Sequence, residues 1–113
     1  MNDRDHKTLY KLLTHIDRIR LYLLDIRSLE AFDNDIKTKD AIVFNLLQLG
    51  ELANHKLTDT FKMKHNSIPW QKMYGLRNRI VHDYDSVHSL VIYQVITEDL
   101  QELSEEIKHL LND

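Results

Sequence analysis

The run Gly75-Leu76-Arg77-Asn78-Arg79-Ile80-Val81-His82-Asp83-Tyr84 sets a guanidinium, a carboxamide, an imidazole and a phenol close together. Each group has its own chemistry. The imidazole of His82 can move a proton near neutral pH. The guanidinium of Arg77 offers a fixed fork of donors that suits a phosphate and the charge developing on it. The carboxamide of Asn78 can orient a histidine or bind a phosphate oxygen. Together they could activate a ribose 2′-hydroxyl and neutralise a phosphodiester with no metal or cofactor, and the 2′-hydroxyl is what separates RNA from DNA. A structural reading stands beside this one. In it, His82 bonds a backbone carbonyl or Asp85, Arg77 or Arg79 makes a surface ion pair, and Tyr84 closes the core where two helices meet.

The spacing constrains how such a site is assembled. On a straight helix at about 100° per residue, Arg77 and His82 differ by about 140°, whereas Asn78 and His82 share a face. Arg77 and Tyr84 fall about 20° apart if the helix persists that far. Either the helix ends near His82, or a second subunit completes the site across a two-fold axis, making one shared groove. His6, His15, His55, His65, His88 and His109 show no ligand spacing, and there is no His-Glu-x-x-His or paired-carboxylate pattern, so no metal site is expected. The chain also lacks a glycine-rich phosphate loop, which argues against a self-contained ATPase or nucleotidyltransferase.

The scaffold carrying this run reads as helical. The chain has 113 residues, two glycines, one proline and no cysteine. That length predicts one domain, residues 1–113, and the composition favours helices joined by short polar loops. No apolar stretch reaches the ~18 residues of a membrane span, and the polar N-terminus is unlike a signal peptide, so a cytoplasmic location without membrane contact is expected. The net charge of −3 hides an uneven distribution. Residues 55–82 hold six Lys/Arg against the single acid Asp59, whereas residues 83–113 hold one Lys and eight acids. If the basic segment faces a cleft, it suits a polyanion, with Lys64, Lys72 and Arg79 as candidate RNA contacts. The alternative is chance clustering on a solvated face.

Apolar spacing predicts a first helix over about 5–29, through Leu9, Leu12, Leu13, Ile16, Ile19, Leu23 and Ile26. Residues 31–38 read as a loop, with Thr38 as the cap of a second helix over about 39–55. That helix carries Ala41, Ile42, Leu46, Leu49 and Ala53, widened by Val43, Phe44, Leu47 and Leu52. Its interior Gly50 costs ~1 kcal/mol against alanine, which close approach of another helix would explain. Residues 58–64 suggest a short helix bearing Phe61 and Met63. Pro69 sits in the tolerated first turn of a third main helix carrying Trp70, Met73, Leu76 and Ile80. A last helix should run from Ser86 to Leu111, through Val87, Leu90, Val91, Val95, Ile96, Leu100, Leu103, Ile107 and Leu110. The expectation is an all-α architecture of four main helices and a short one.

These residues carry a family resemblance. Arg77, four residues, His82, one residue and Tyr84 resemble the signature of the HEPN superfamily, specifically its HepT-like toxins. Ile68-Pro69-Trp70, Met73-Tyr74-Gly75-Leu76, Asp40-Ala41-Ile42, Asn45-Leu46 and Leu49-Gly50-Glu51-Leu52-Ala53 resemble the same family in order, across essentially the whole chain. The resemblance implies an antiparallel, HEPN-like bundle of four to five helices that forms homodimers, with Arg77 and His82 lining a cleft at the dimer interface. It implies a metal-independent endoribonuclease in which His82 transfers protons, Arg77 holds the scissile phosphate and Asn78 assists the arginine. It further implies the toxin of a type VII-like toxin–antitoxin pair. The partner would be a minimal nucleotidyltransferase (MNT-type) antitoxin that adenylylates Tyr84. Many relatives carry an arginine where this chain has Phe44, so partner docking can differ here. A competing reading is a non-catalytic helical module that serves a nucleotidyltransferase partner, though such a module has no need of the trio Arg77, His82 and Tyr84.

Overall fold

A computed structural model describes residues 1–112; Asp113, the last residue of the expected domain, lies outside the described residues. The described chain is all helix and turn, without a strand. The elements are α1 (Asp3–Tyr22), α2 (Leu29–Asn34), α3 (Ile36–His55), α4 (Asp59–Lys64), α5 (Trp70–Asp83), a 3₁₀ turn (Tyr84–Ser86), α6 (Ser89–Gln94), a π turn (Val95–Asp99) and α7 (Leu100–Asn112). α3 is the central element, packed against α1 on one side and α5 on the other, while α7 lies along α1 and α2 braces α3 and α6.

The starts of four helices are set by side-chain caps, each filling one of the donors a first helical turn leaves open. Asn2, Ser28, Asp35 and Thr58 accept from the amides of Asp5, Ala31, Thr38 and Phe61. The Asp35 carboxyl is held below its ordinary range, first by the Thr38 amide and then by the Thr38 hydroxyl. Pro69 precedes α5 with no side-chain cap bond, and the Trp70 indole donates to the His65 carbonyl at 3.1 Å, tying the loop before α5 to its first turn. The core joins Leu9, Leu12, Ile16 and Ile19 of α1 with Ile42, Leu46, Leu49 and Ala53 of α3, then Trp70 and Ile80 of α5, and Ile92, Ile96, Leu100, Leu103 and Ile107 of the C-terminal helices.

Several expectations need correction. The first helix stops at Tyr22 rather than 29, with a turn at 23–25. Residues 31–38 are not a loop. Ser28 caps a short helix that buries Phe32, and Asp35, not Thr38, caps α3. Local capping decides both points. The last helix begins at Ser89 after a 3₁₀ turn and is interrupted by the π turn. There Val95, Ile96 and Thr97 crowd the helix, and the Thr97 hydroxyl back-bonds to the Tyr93 carbonyl at 2.7 Å, a contact that competes with regular helix geometry. Ile92 is buried where the pattern pointed to Leu90, which is exposed. Met63 is 77% exposed and Phe44 57% exposed, so neither belongs to the core.

Candidate active site

Two contacts set how α5 lies on α3. A Cβ placed on Gly50 would come within 2.6 Å of the Arg77 Cβ and 3.0 Å of the Met73 carbonyl oxygen. The two helices therefore approach so closely that a glycine is required, which answers the cost of placing one inside α3. At the other end of the contact, the Tyr84 hydroxyl donates to Asp40 Oδ1 at 3.3 Å. Rising along α3 from 40 to 50 thus corresponds to descending α5 from 84 towards 73, an antiparallel pairing.

Arg77 is held on several sides. Its Nε lies 3.2 Å from Glu51 Oε2, its Nη1 donates to Asn78 Oδ1 at 2.8 Å, and its Cζ sits 5.6 Å from the centre of the Tyr74 ring. Glu51 Oε2 is shielded from solvent and receives no aligned hydrogen bond, so its contact with Arg77 is a charge pairing rather than a directed N–H···O bond. The other Glu51 oxygen, Oε1, lies 3.4 Å from His55 Nε2, and the His55 ring meets Tyr74 edge-on at 5.6 Å. Glu51, His55, Tyr74, Arg77 and Asn78 therefore form one connected cluster. A guanidinium carries five N–H donors. Glu51 occupies the Nε edge and Asn78 takes one donor of Nη1, which leaves the Nη2 donors for an anion.

His82 is placed differently. It is exposed, and its side chain makes no hydrogen bond, ion pair or ring contact with any described residue. The structural alternative for it, a bond to a backbone carbonyl or to Asp85, is not made. α5 stays α-helical through Asp83, so His82 keeps its angular separation of about 140° from Arg77 and sits one turn beyond Asn78. Within one chain, Arg77 and Asn78 come together and His82 does not join them.

Tyr84 is half-buried against the core and lines a cleft of about 840 Å³ with Asp33, Lys39, Asp40, Asp85 and His88 among the other walls. Burial pushes its phenol up to about 12, and the charge of Asp40, its hydrogen bond and the charge of Asp85 add to the shift. All disfavour the phenolate. Lys39 lies 5.9 Å from the centre of the Tyr84 ring and also bonds Ser89 and Asp33. The Asp33 carboxyl is lowered first by its hydrogen bond from Ser89, then by Lys39. Arg79 is exposed and has no described partner. Lys64 and Lys72 line two other clefts, one with Thr58 and Phe61, the other with Asn54 and Trp70.

The sequence reading left Glu51, His55 and Tyr74 without roles. The available signal was the i,i+4 spacing of Glu51 and His55 beside an otherwise unfavourable glycine. Among the described residues, no three His, Asp or Glu side chains gather to hold a metal ion, and no helix is long and apolar enough to cross a membrane.

The chain was compared with known proteins. The family model described as ribonuclease HepT-like matches residues 12–110. A Thermococcus cleftensis protein named "Probable ribonuclease HepT" is 32% identical over 81 residues, covering 72% of this chain and 73% of its own. A Caldanaerobacter subterraneus protein named "Putative RNase" is 31% identical over 84 residues, 74% of each chain. A Methanocaldococcus jannaschii protein of the same printed description is 28% identical over 109 residues, 96% of this chain and 98% of its own. No solved structure matches significantly. With a family match over residues 12–110 and relatives aligned over most of their own lengths, the chain belongs to the HepT-like ribonuclease family.

Proposed function

We propose that the chain is the toxin of a two-gene pair, a metal-independent endoribonuclease that acts as a homodimer through Arg77 and His82. The observation that carries the reading is the contrast between a guanidinium fixed on two edges with Nη2 open and a histidine with no structural task. In this reading His82 accepts the 2′-hydroxyl proton as the 2′-oxygen attacks phosphorus. Arg77 takes the charge on the phosphate, and the partner's His82 returns a proton to the departing 5′-oxygen. Asn78, one turn from His82 and bonded to Arg77, links the two functions.

A second copy is needed because Arg77 and His82 diverge on their own helix. Support for one comes from Phe44 and Val81, 57% and 50% exposed, at the same level of the α3–α5 contact, which suit an apolar seam between copies. Tyr84 is the site at which a nucleotidyltransferase antitoxin attaches AMP from ATP: the phenol oxygen gives up its proton and bonds the α-phosphorus as pyrophosphate leaves. The residue lines a cleft, and a charged adduct there repels RNA phosphates.

The test compares wild-type protein and His82→Ala on total RNA in excess chelator, with oligomeric state and melting followed in parallel. His82→Ala should lose about 10²- to 10⁴-fold in cleavage, the usual weight of general acid–base catalysis. Its melting should be unchanged, because the side chain is exposed and unpartnered. Equal cleavage by both proteins overturns the histidine mechanism, and no cleavage by the wild type overturns the nuclease assignment in favour of a binding module.

A further inference from the structure

The Gly50-Glu51 pair on α3 acts on Arg77 from both of its residues. Gly50 lets α5 approach until the Arg77 Cβ lies against the α3 backbone. Glu51, the next residue, meets the Nε edge of the same side chain at 3.2 Å. The Tyr74 ring centre lies 5.6 Å from the Arg77 Cζ, Asn78 takes an Nη1 donor, and His55 approaches the second Glu51 oxygen at 3.4 Å. An arginine has several rotatable bonds, and on an exposed helix face it samples many positions. Here its root, its Nε and its Nη1 are all constrained.

We infer that Glu51 is a positioning residue for RNA cleavage, orienting the Arg77 guanidinium so that its Nη2 edge meets the scissile phosphate. The inference rests on the reading of Arg77 as the phosphate-holding group. Glu51 reaches the phosphate only through Arg77, since a carboxylate repels an anion directly. Its charge therefore works in two opposed ways. It reduces the net attraction of the site for RNA, and it fixes the donor fork where charge develops in the transition state. A misplacement of about 1 Å costs on the order of 10²-fold in rate when geometry matters this much.

That opposition separates a positioning role from a merely structural one. Removing the charge should lower kcat while leaving KM equal or lower, because RNA is then less repelled. Loss of folded protein would lower kcat with KM unchanged and would lower the melting temperature. The experiment uses the full chain as wild type, Glu51→Gln, Glu51→Ala and Arg77→Lys. It measures kcat and KM on a fluorogenic oligoribonucleotide, thermal melting, and the Arg77 Nε–H resonance with its solvent exchange. The expected result is a fall in kcat of about 10- to 100-fold for Glu51→Ala and a smaller fall for Glu51→Gln, which still offers an acceptor. KM should not rise, and the Nε–H should exchange faster in Glu51→Ala.

A wild-type kcat in both Glu51 variants overturns the inference, as does a fall in kcat matched by the fall in folded fraction. If Glu51→Ala does not fold, Glu51→Gln carries the same readouts. Arg77→Lys keeps the charge but loses the fork. Full activity in it overturns the assignment of Arg77. Lost activity there beside wild-type kcat in the Glu51 variants overturns the role of Glu51 alone.

Discussion

The two ends of the α3–α5 contact are built alike and behave in opposite ways. At one end α5 lays Arg77 on the Glu51 carboxylate, and at the other the 3₁₀ turn that follows α5 lays Tyr84 on the Asp40 carboxylate. The first carboxylate faces a permanent cation, so charge and geometry reinforce each other. The second faces a neutral phenol, whose pKa is pushed up to about 12 first by burial and then by the Asp40 charge and hydrogen bond. Setting a carboxylate against a cation orients the cation; setting one against a half-buried phenol adds to the rise of its pKa. His82 lies near the second end in sequence but touches neither carboxylate. The helix pair thus carries one immobilised charge, one neutral hydroxyl and one free imidazole.

Changing Gly50 to alanine should produce the largest effect on folding, and at the arginine end only. The new Cβ meets a side-chain Cβ at 2.6 Å and a backbone oxygen at 3.0 Å, neither of which can swing away. Overpacking of this kind costs about 1–3 kcal/mol, more than the ~1 kcal/mol that alanine gains in helix propensity. Denaturant melts should show a clear loss of stability and RNA cleavage should fall, while the phenol of Tyr84 still titrates near its wild-type midpoint. An unaltered melt would mean that the two helices are not held as closely as described.

Asp40→Asn probes the other end. It removes the charge that stands second among the causes of the Tyr84 shift and leaves an amide oxygen that still accepts, with burial, the largest cause, and the Asp85 charge in place. The Tyr84 midpoint, followed by ultraviolet titration against Tyr84→Phe, should move from about 12 part of the way towards the ordinary phenol value of 10.0. The linked stability follows in sign. A folded pKa raised above the unfolded value gives a contribution fully present below pH ~10 and lost as pH rises towards ~12. Asp40→Asn should therefore shrink the alkaline loss of stability and leave cleavage by unmodified protein in place. A midpoint that stays put would remove Asp40 from the account of Tyr84.

The smallest effect belongs to Gly75→Ala. This glycine sits inside α5 with nothing within 4 Å of its prospective Cβ, and no glycine in the described chain has a positive φ. Alanine there should stabilise the protein by about 0.5–1 kcal/mol through helix propensity. The two glycines then answer in opposite directions to the same substitution, a sharp check on where α5 touches α3 and where it does not.

Much of this was legible in the sequence because it depends on local periodicity. The apolar spacing of α1, α3 and α5 follows from a helical repeat that buries one face. Gly50 announced a close helix approach because its presence inside a helix is otherwise unfavourable. The capped start of α4 and the turn at Pro69 follow from residues that accept a bond or lack a donor. The breaks were less visible. Leu23 and Ile26 continue the pattern of α1, yet the chain turns there because nothing in periodicity registers the cap at Ser28. Phe44 fits the apolar stripe of α3 and still faces out, since the girth of a helix exceeds the width of its neighbours.

For the candidate site, the sequence by itself determined which chemistry is present: an arginine, an asparagine, a histidine and a tyrosine at spacings fixed by covalent order. It also determined that Arg77 and His82 diverge, because a helix turns about 100° per residue wherever it occurs. The tertiary structure alone decided what each group is doing there. Glu51 meets Arg77 and Asp40 meets Tyr84 across 26 and 44 residues of sequence, pairings that only the packing of α5 on α3 creates. A side chain's charge is written in its identity, but its orientation and proton affinity come from neighbours that the fold brings within a few ångströms.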